Sequence, residues 1–307
     1  MATTKAKTTA KPKKTTSTTA RKSTKATTSR AVAAKTEKVD KPIFSNSKKG
    51  NPVKEFFARK YDANENILTI FRSPRIIGAL LGEIIGTMIL SVVLLTMGVY
   101  QPLYIMFGVI AITVAVYSLS GAHINPLVTM GHIATRRVSP IRGTLYIIAQ
   151  VLGAWLGLLI AGAFAGAVPE MAAALPKMSV VEDEMFWVIT MLEFFGATVI
   201  GFFFARALAY KRSVFTFAAV VGGGVSLAFL LAVVISSSFL GAQDNFILNP
   251  AVAIMYQVLP TEGATFGDLF GNIALALTTY VIFPLLGGVV GFYVSDLASK
   301  FSGEKLE

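Results

Sequence analysis

The sequence contains no cysteine and only two histidines in 307 residues. No disulfide, thiolate nucleophile or Cys-containing metal site can be built from it, and redox compartment leaves no mark on it. Two histidines leave little metal chemistry. No nucleophile with a general-base pair and no cofactor fingerprint is present, so neither an enzyme nor a bound cofactor is expected. Charge is also sparse, at 15% Asp, Glu, Lys and Arg. What replaces it is apolar: 54% of the residues are hydrophobic and the mean hydropathy is +0.64. Runs this long and this apolar describe a polytopic membrane protein.

The formal net charge of +11 is unevenly placed. Residues 1–60 hold 17 Lys/Arg and three acids, a net of +14, while residues 61–307 carry a net of −3. Up to Lys41 the chain is a repetitive Thr, Lys, Ala, Ser segment without aromatics, which cannot bury enough apolar surface to offset its ordering entropy. A disordered basic tail is expected over 1–60. It has no apolar stretch of the kind a secretory signal needs. Besides solubilising the chain, it suits anionic lipid or another polyanion as partner, nucleic acid being less suited without an aromatic platform. Residues 61–74 read as a juxtamembrane segment, 75–297 as the membrane domain and 298–307 as a short tail. Asn51-Pro52, flanked by lysine, reads as a turn.

Six spans are predicted at about 75–99, 102–121, 143–168, 186–209, 214–237 and 272–297. Arg136, Arg137 and Arg142 fall between spans two and three, Arg206, Lys211 and Arg212 between four and five, and Lys300 and Lys305 after six. Glu170, Lys177, Glu182, Asp183, Glu184, Asp244, Glu262 and Asp268 fall on the other side. The positive-inside rule then makes both termini cytoplasmic.

Two Asn-Pro pairs interrupt this apolar sequence, Asn125-Pro126 in SGAHINPLVTMGHI and Asn249-Pro250 in LNPAVAIM, 124 residues apart. Asn caps a helix with its side-chain oxygen, and Pro fits the first helical position, where a missing N–H costs nothing. Helices from Pro126 to Thr135 and from Pro250 to Leu259 would be roughly 15 Å long, half of a hydrocarbon core roughly 30 Å thick. Neither can cross alone. Entering from opposite faces, they would bring both positive dipole ends and both Asn side chains to the midplane.

Internal repetition supports that meeting. Glu83 in GEIIGT matches Glu193 in LEFFGAT, the Asn-Pro pairs match, and QVLGAWLG from Gln150 matches PLLGGVVG from Pro284. Each half holds three spans, an odd number, so the second half must be inverted relative to the first. Gly153 with Gly157, and Gly287 with Gly291, give small faces for close helix packing. A carboxylate within a span is costly unless paired, so Glu83 and Glu193 must face inward. At their helix tips, Asn125 and Asn249 can accept backbone N–H groups while pointing amide donors into a lumen. A water held by both would be unable to accept a proton from its neighbour, and the helix dipoles would oppose cations.

Together, SGAHINP, its following Val-Thr, the Glu-x-x-Gly-Thr and Gln-x-x-Gly-Ala patterns and FPLLGGVVG resemble the major intrinsic protein family, the aquaporins, over residues 75–297. The resemblance implies an all-α hourglass with six transmembrane helices plus two re-entrant half-helices in an inverted repeat. It also implies homotetramers in the lipid bilayer, a pore in each subunit, and passive flow of water or small uncharged solutes such as glycerol. It implies that Asn125, Pro126, Leu127, Asn249, Pro250 and Ala251 form the paired boxes, and that Glu83 and Glu193 brace their loops. His123, just before the first box, reads as a bracing side chain, and His132 as a packing residue near the cytoplasmic mouth. Leu127 replaces the family's usual Ala. The second box departs further, since most relatives have Arg where this chain has Val252. Counting from the boxes, the other outer-filter positions fall at Ile105, or Phe107 in a shifted helix, and at Val233, with Phe246 the remaining candidate. Such a filter is hydrophobic. Losing the Arg removes a cation barrier and a water-binding group, which puts strict water selectivity in question. A non-conducting structural or junctional protein on the same fold is the alternative, and a secondary transporter a more distant one.

Overall fold

The computed structural model describes residues 66–97, 101–167, 186–209, 213–239, 246–258 and 273–302. The basic tail expected over 1–60 lies outside the described residues. In chain order the helices are α1 (Ile67–Phe71), α2 (Pro74–Met97), α3 (Pro102–Ser120), α4 (Pro126–Ala134), α5 (Pro140–Ala167), α6 (Phe186–Ala209), α7 (Val214–Phe239), α8 (Pro250–Ala253) and α9 (Phe283–Phe301). Wider π turns follow α8 at Ile254–Val258 and precede α9 at Thr278–Ile282. Six segments are long and apolar enough to cross a membrane: α2, α3, α5, α6, α7 and the stretch Ile273–Phe301 that ends in α9. No strand occurs among the described residues. The third span starts at Pro140, three residues earlier than expected, and the last continues to Phe301.

Proline sets most of the helix starts, standing first in α2, α3, α4, α5 and α8, where its fixed φ suits a first turn and its absent N–H leaves no orphan. Gly121, at φ 84°, ends α3 and turns the chain toward the first box. The second half-helix differs from expectation. It is regular only to Ala253 and then widens into a π turn. Ile254, Met255 and Tyr256 are consecutive, bulky and all packed against the core, and a wider turn lets more successive side chains face the same way. The π turn before α9 has a different cause: Pro284 lacks an N–H for the ordinary bond, and the N–H of Phe283 reaches back to the carbonyl of Thr278.

Helix α2 shows how the chain suits a bilayer. Ile77, Leu81, Ile85 and Ile89 recur every fourth residue on an exposed stripe, while Glu83, Thr87 and Ser91 recur at the same interval and are buried. Polar groups face protein and apolar groups face outward. Between helices, α2 packs on α5 and α6 on α9 through matching glycines. Gly153 lies against the carbonyl of Ile84 and Gly157 against that of Met88; Gly287 lies against Phe194 and Gly291 against Thr198. Counted from Glu83 and Glu193, those carbonyls sit one and five residues on in both halves. The repeat seen in sequence thus extends to which backbone atom each glycine meets. A Cβ at any of the four would strike main chain, which cannot move aside.

Candidate functional site

The two half-helices meet through their capping residues. Asn125 is extended, at φ −155°, and its Oδ1 accepts the N–H of Leu127 at 3.1 Å. Asn249 is also extended, at φ −148°, and its Oδ1 accepts from Ala251 at 3.0 Å and Val252 at 3.4 Å. The residues before them, Ile124 and Leu248, have φ of 44° and 54°. This left-handed conformation is costly, above all for β-branched Ile124. Its consequence is that both carbonyls point across the repeat. Asn125 Nδ2 donates to Leu248 O at 2.9 Å, and Asn249 Nδ2 donates to Ile124 O at 3.1 Å. Each amide therefore spends one of its two hydrogens on the other half of the chain and retains one.

Behind each box stands a glutamate. Glu83 accepts the N–H of His123 at 3.0 Å through one oxygen; through the other it accepts the N–H of Ile124 at 2.7 Å and Gln150 Nε2 at 2.6 Å. Glu193 accepts the N–H of Ile247 at 2.5 Å and that of Leu248 at 3.1 and 3.2 Å through its two oxygens. Both side chains are buried. Gln150 Nε2 also donates to Thr129 Oγ1 at 2.9 Å, which in turn donates to Asn125 O at 3.3 Å. In sequence Gln150 is a landmark of the repeat and the first residue of the Gln-x-x-Gly-Ala pattern, with no bracing role attached to it. Its signal was a polar residue within a span, which must find a partner in hydrocarbon.

A cavity of about 30 Å³ separates the boxes from the surrounding helices, room for at least one water. Asn125, Asn249 and His123 are the polar side chains along it. Its walls repeat as the sequence does. Leu90 and Leu94 stand seven and eleven residues after Glu83, Ile200 and Phe204 at the same distances after Glu193, and all four line it. Val128 lines it three residues after Asn125, but Val252, three after Asn249, does not.

His123 and His132 are both buried and stack with ring centroids 4.0 Å apart. His132 Nδ1 lies 2.9 Å from the carbonyl of Val128, to which it must donate, and His123 Nδ1 lies 3.1 Å from Thr129 Oγ1. Phe204 and Phe292 close around the pair, Phe204 at 5.3 Å from His132 and Phe292 at 4.9 Å. Arg137 lies over Phe292 at 5.7 Å and grips Asp296 through two hydrogen bonds of 2.6 and 3.1 Å. Nothing in the spacing of His123 and His132 announced this stack, because one precedes the half-helix and the other lies in its last turn.

The remaining candidates separate by burial. Ile105 is 0% exposed, whereas Phe107 is 58% exposed and faces away from the core. Phe246 and Val252 are buried in the same apolar cluster as Ile105, and Val233 packs against it. Leu127 is 0% exposed, lies outside the cavity lining, and backs onto Gly288 of α9.

Comparison with known proteins bears on the family and the fold. The family profile described as major intrinsic protein matches residues 70–295. Aquaporin PIP2-5 of Oryza sativa subsp. japonica is 50% identical over 46 residues, 15% of this chain and 16% of that protein. Aquaporin PIP2-4 of Zea mays is 51% identical over 49 residues, 16% and 17% of the two. The chain thus aligns with about a sixth of the length of these curated relatives. Among solved structures, the aquaglyceroporin from Plasmodium falciparum is similar at a TM-score of 0.50 and 18% identity, covering 73% of this chain and 95% of that one, a likeness of fold. With the family profile spanning nearly all of the membrane helices, the chain belongs to the major intrinsic protein family.

Proposed function

We propose that the chain is a passive transmembrane channel for water or small uncharged solutes, conducting past Asn125 and Asn249. The observation that carries this reading is the crossed pair of amide hydrogen bonds, 2.9 and 3.1 Å. It fixes both side chains at the edge of one cavity and leaves each a single hydrogen for a passing oxygen. A water that accepts from both amides has its lone pairs occupied and cannot relay a proton, while both half-helix N-termini disfavour cations. Pro126 and Pro250 start the half-helices without orphan N–H groups, and Leu127 and Ala251 give up theirs to the Asn caps.

Ile105, Val233, Phe246 and Val252 form the outer filter in this proposal. None is charged. Arg as an electrostatic barrier is an established feature of aquaporin-type pores, and the loops assigned to the outer face hold Lys177 but no Arg. A filter of this kind admits glycerol-like solutes on chemistry. Homotetramers in the plasma membrane with cytoplasmic termini complete the proposal, the assembly on the strength of the family resemblance and the orientation on that of the arginines between spans. Stopped-flow light scattering on proteoliposomes tests it: the protein should raise osmotic water permeability above that of empty vesicles. Equal permeability in correctly inserted protein would favour the non-conducting reading, for which the specific observation is the cavity's largely apolar wall, able to stay dry.

A further inference from the structure

The short helix α1, two residues ahead of the first span, is too small to stand on propensity, since isolated helices below about 12–15 residues are marginal in water. Two devices hold it. Asn66 Oδ1 accepts the N–H of Thr69 at 3.0 Å while Thr69 Oγ1 accepts that of Asn66 at 2.8 Å, a reciprocal capping box. On the inner side Ile70 is 3% exposed and packs with Ile76 and Ala79 of α2 and Tyr146 of α5. One side chain is thus buried in the protein. The others turn away: Ile67, Leu68 and Phe71 are 58%, 73% and 49% exposed. Fully burying such a side chain shifts partition by about tenfold to a hundredfold, so a fixed, contiguous apolar face at this point needs a cover. Arg72 and Arg75 follow directly. Both are exposed, and neither side chain has an ion-pair partner among the described residues.

We infer that α1 is a lipid-docking element, with Ile67, Leu68 and Phe71 set into the boundary between headgroups and acyl chains and Arg72 and Arg75 on the phosphates of anionic lipid. Three observations select lipid over a protein partner. The face is continuous with a membrane span that begins at Pro74. Its two charges are of one sign and complementary to phosphate. The chain ahead of it, residues 1–60, carries a net of +14, so the whole approach to α1 suits an anionic surface.

The absence of cysteine makes the test direct, because L68C gives the full chain a single labelling site on the most exposed residue of the helix. The variant would carry an environment-sensitive dye and be reconstituted in phosphatidylcholine with or without phosphatidylglycerol. Brominated phosphatidylcholine or phosphatidylglycerol, and aqueous iodide, would serve as quenchers. Brominated lipid should quench the dye and iodide should not. Phosphatidylglycerol should quench more than phosphatidylcholine, a preference that falls about fivefold for each arginine removed in R72Q/R75Q and weakens with salt. A dye open to iodide, or one quenched by neighbouring labelled copies and relieved by dilution, would overturn the inference in favour of solvent or a second chain. So would a lipid preference that survives R72Q/R75Q and disappears when residues 2–41 are deleted, since the tail would then hold the lipid. None of these readouts depends on permeation, so the channel proposal and this one can fail separately.

Discussion

The two loops that end in Asn125 and Asn249 share a left-handed residue followed by an extended Asn, and differ in their supports. In the first, Glu83 takes two backbone N–H groups and Gln150, and Gln150 ties in Thr129 and through it the carbonyl of Asn125. In the second, Glu193 takes its two backbone N–H groups with Pro284 at the position equivalent to Gln150. The lesson is what the repeat must keep. It keeps a carboxylate for a pair of N–H groups that a left-handed residue has turned away from any helix partner; the rest of the network is free to diverge. Pro284, where the first half has Gln150, has a cost of its own, the π turn ahead of α9.

The largest effect should therefore come from removing either carboxylate. Glu83→Ala and Glu193→Ala each strand two buried N–H groups, at about 1–3 kcal/mol apiece. Each should lower folded, detergent-stable protein sharply, as measured by the midpoint of thermal or SDS unfolding. Glu83→Ala also strands one Gln150 hydrogen while Thr129 keeps the other, so its loss should exceed that of Glu193→Ala by about one hydrogen-bonding group and no more. A Glu83 variant much more damaging than its counterpart would show that the side-chain network, not the N–H pair, is what the first loop requires.

Much of this was legible in the sequence, for identifiable reasons. The six spans follow from hydropathy, and the half-helix starts from the capping chemistry of Asn and Pro. The inversion follows from three landmarks and an odd number of spans. The rest depends on long-range geometry that no local pattern encodes. Amides were expected to point their NH₂ groups into a lumen, but half of that capacity crosses to a carbonyl more than 120 residues away in sequence. Ile124 at positive φ runs against its own propensity, and only the facing loop makes sense of it. Asp296 pairs with Arg137, 159 positions earlier in the chain, which no local pattern shows.

Leu127 and Ala251 are the second point of contrast between the boxes. Leu127 is a large residue where the resemblance suggested a small one, with a consequence for the waist that its size alone does not sign. Its side chain is buried outside the cavity lining. Leu127→Ala should thus cost about 2–5 kcal/mol of stability and leave unit permeability unchanged. Measuring flux per inserted protein alongside the unfolding midpoint separates the two. A rise in flux would mean that Leu127 narrows the pathway.

Gln150→Leu makes the first support resemble the second, which manages without an amide. The expected loss is small, about 1.5–3 kcal/mol for a hydrogen bond to a charged group and less if Thr129 finds another donor. The loop should survive, so permeability should be retained with a modestly lower unfolding midpoint. Loss of permeability at normal protein yield would show that Thr129 and His123 need Gln150 to hold their orientation.

The prediction most informative about function lies at the third residue after each Asn. Val128 and Val252 make the two boxes alike here, whereas the resemblance leads one to expect Arg in the second. Val252 is buried beside Ile105 and Phe246 in one apolar cluster. If these residues form the outer filter, Val252→Arg should narrow it and add a fixed positive charge. Glycerol permeability should then fall relative to water and any cation leak should be suppressed. Total flux is a poor measure, because an arginine set among apolar side chains must be desolvated and water conduction could drop as well. The ratio is the better one. Swelling in glycerol and shrinkage in an impermeant osmolyte, taken on the same vesicles with protein amount matched, should show a lower glycerol-to-water ratio than the parent. An unchanged ratio in a folded, correctly inserted variant would place solute selection elsewhere, and the narrow cavity between the Asn boxes and Phe204 would become the stronger candidate.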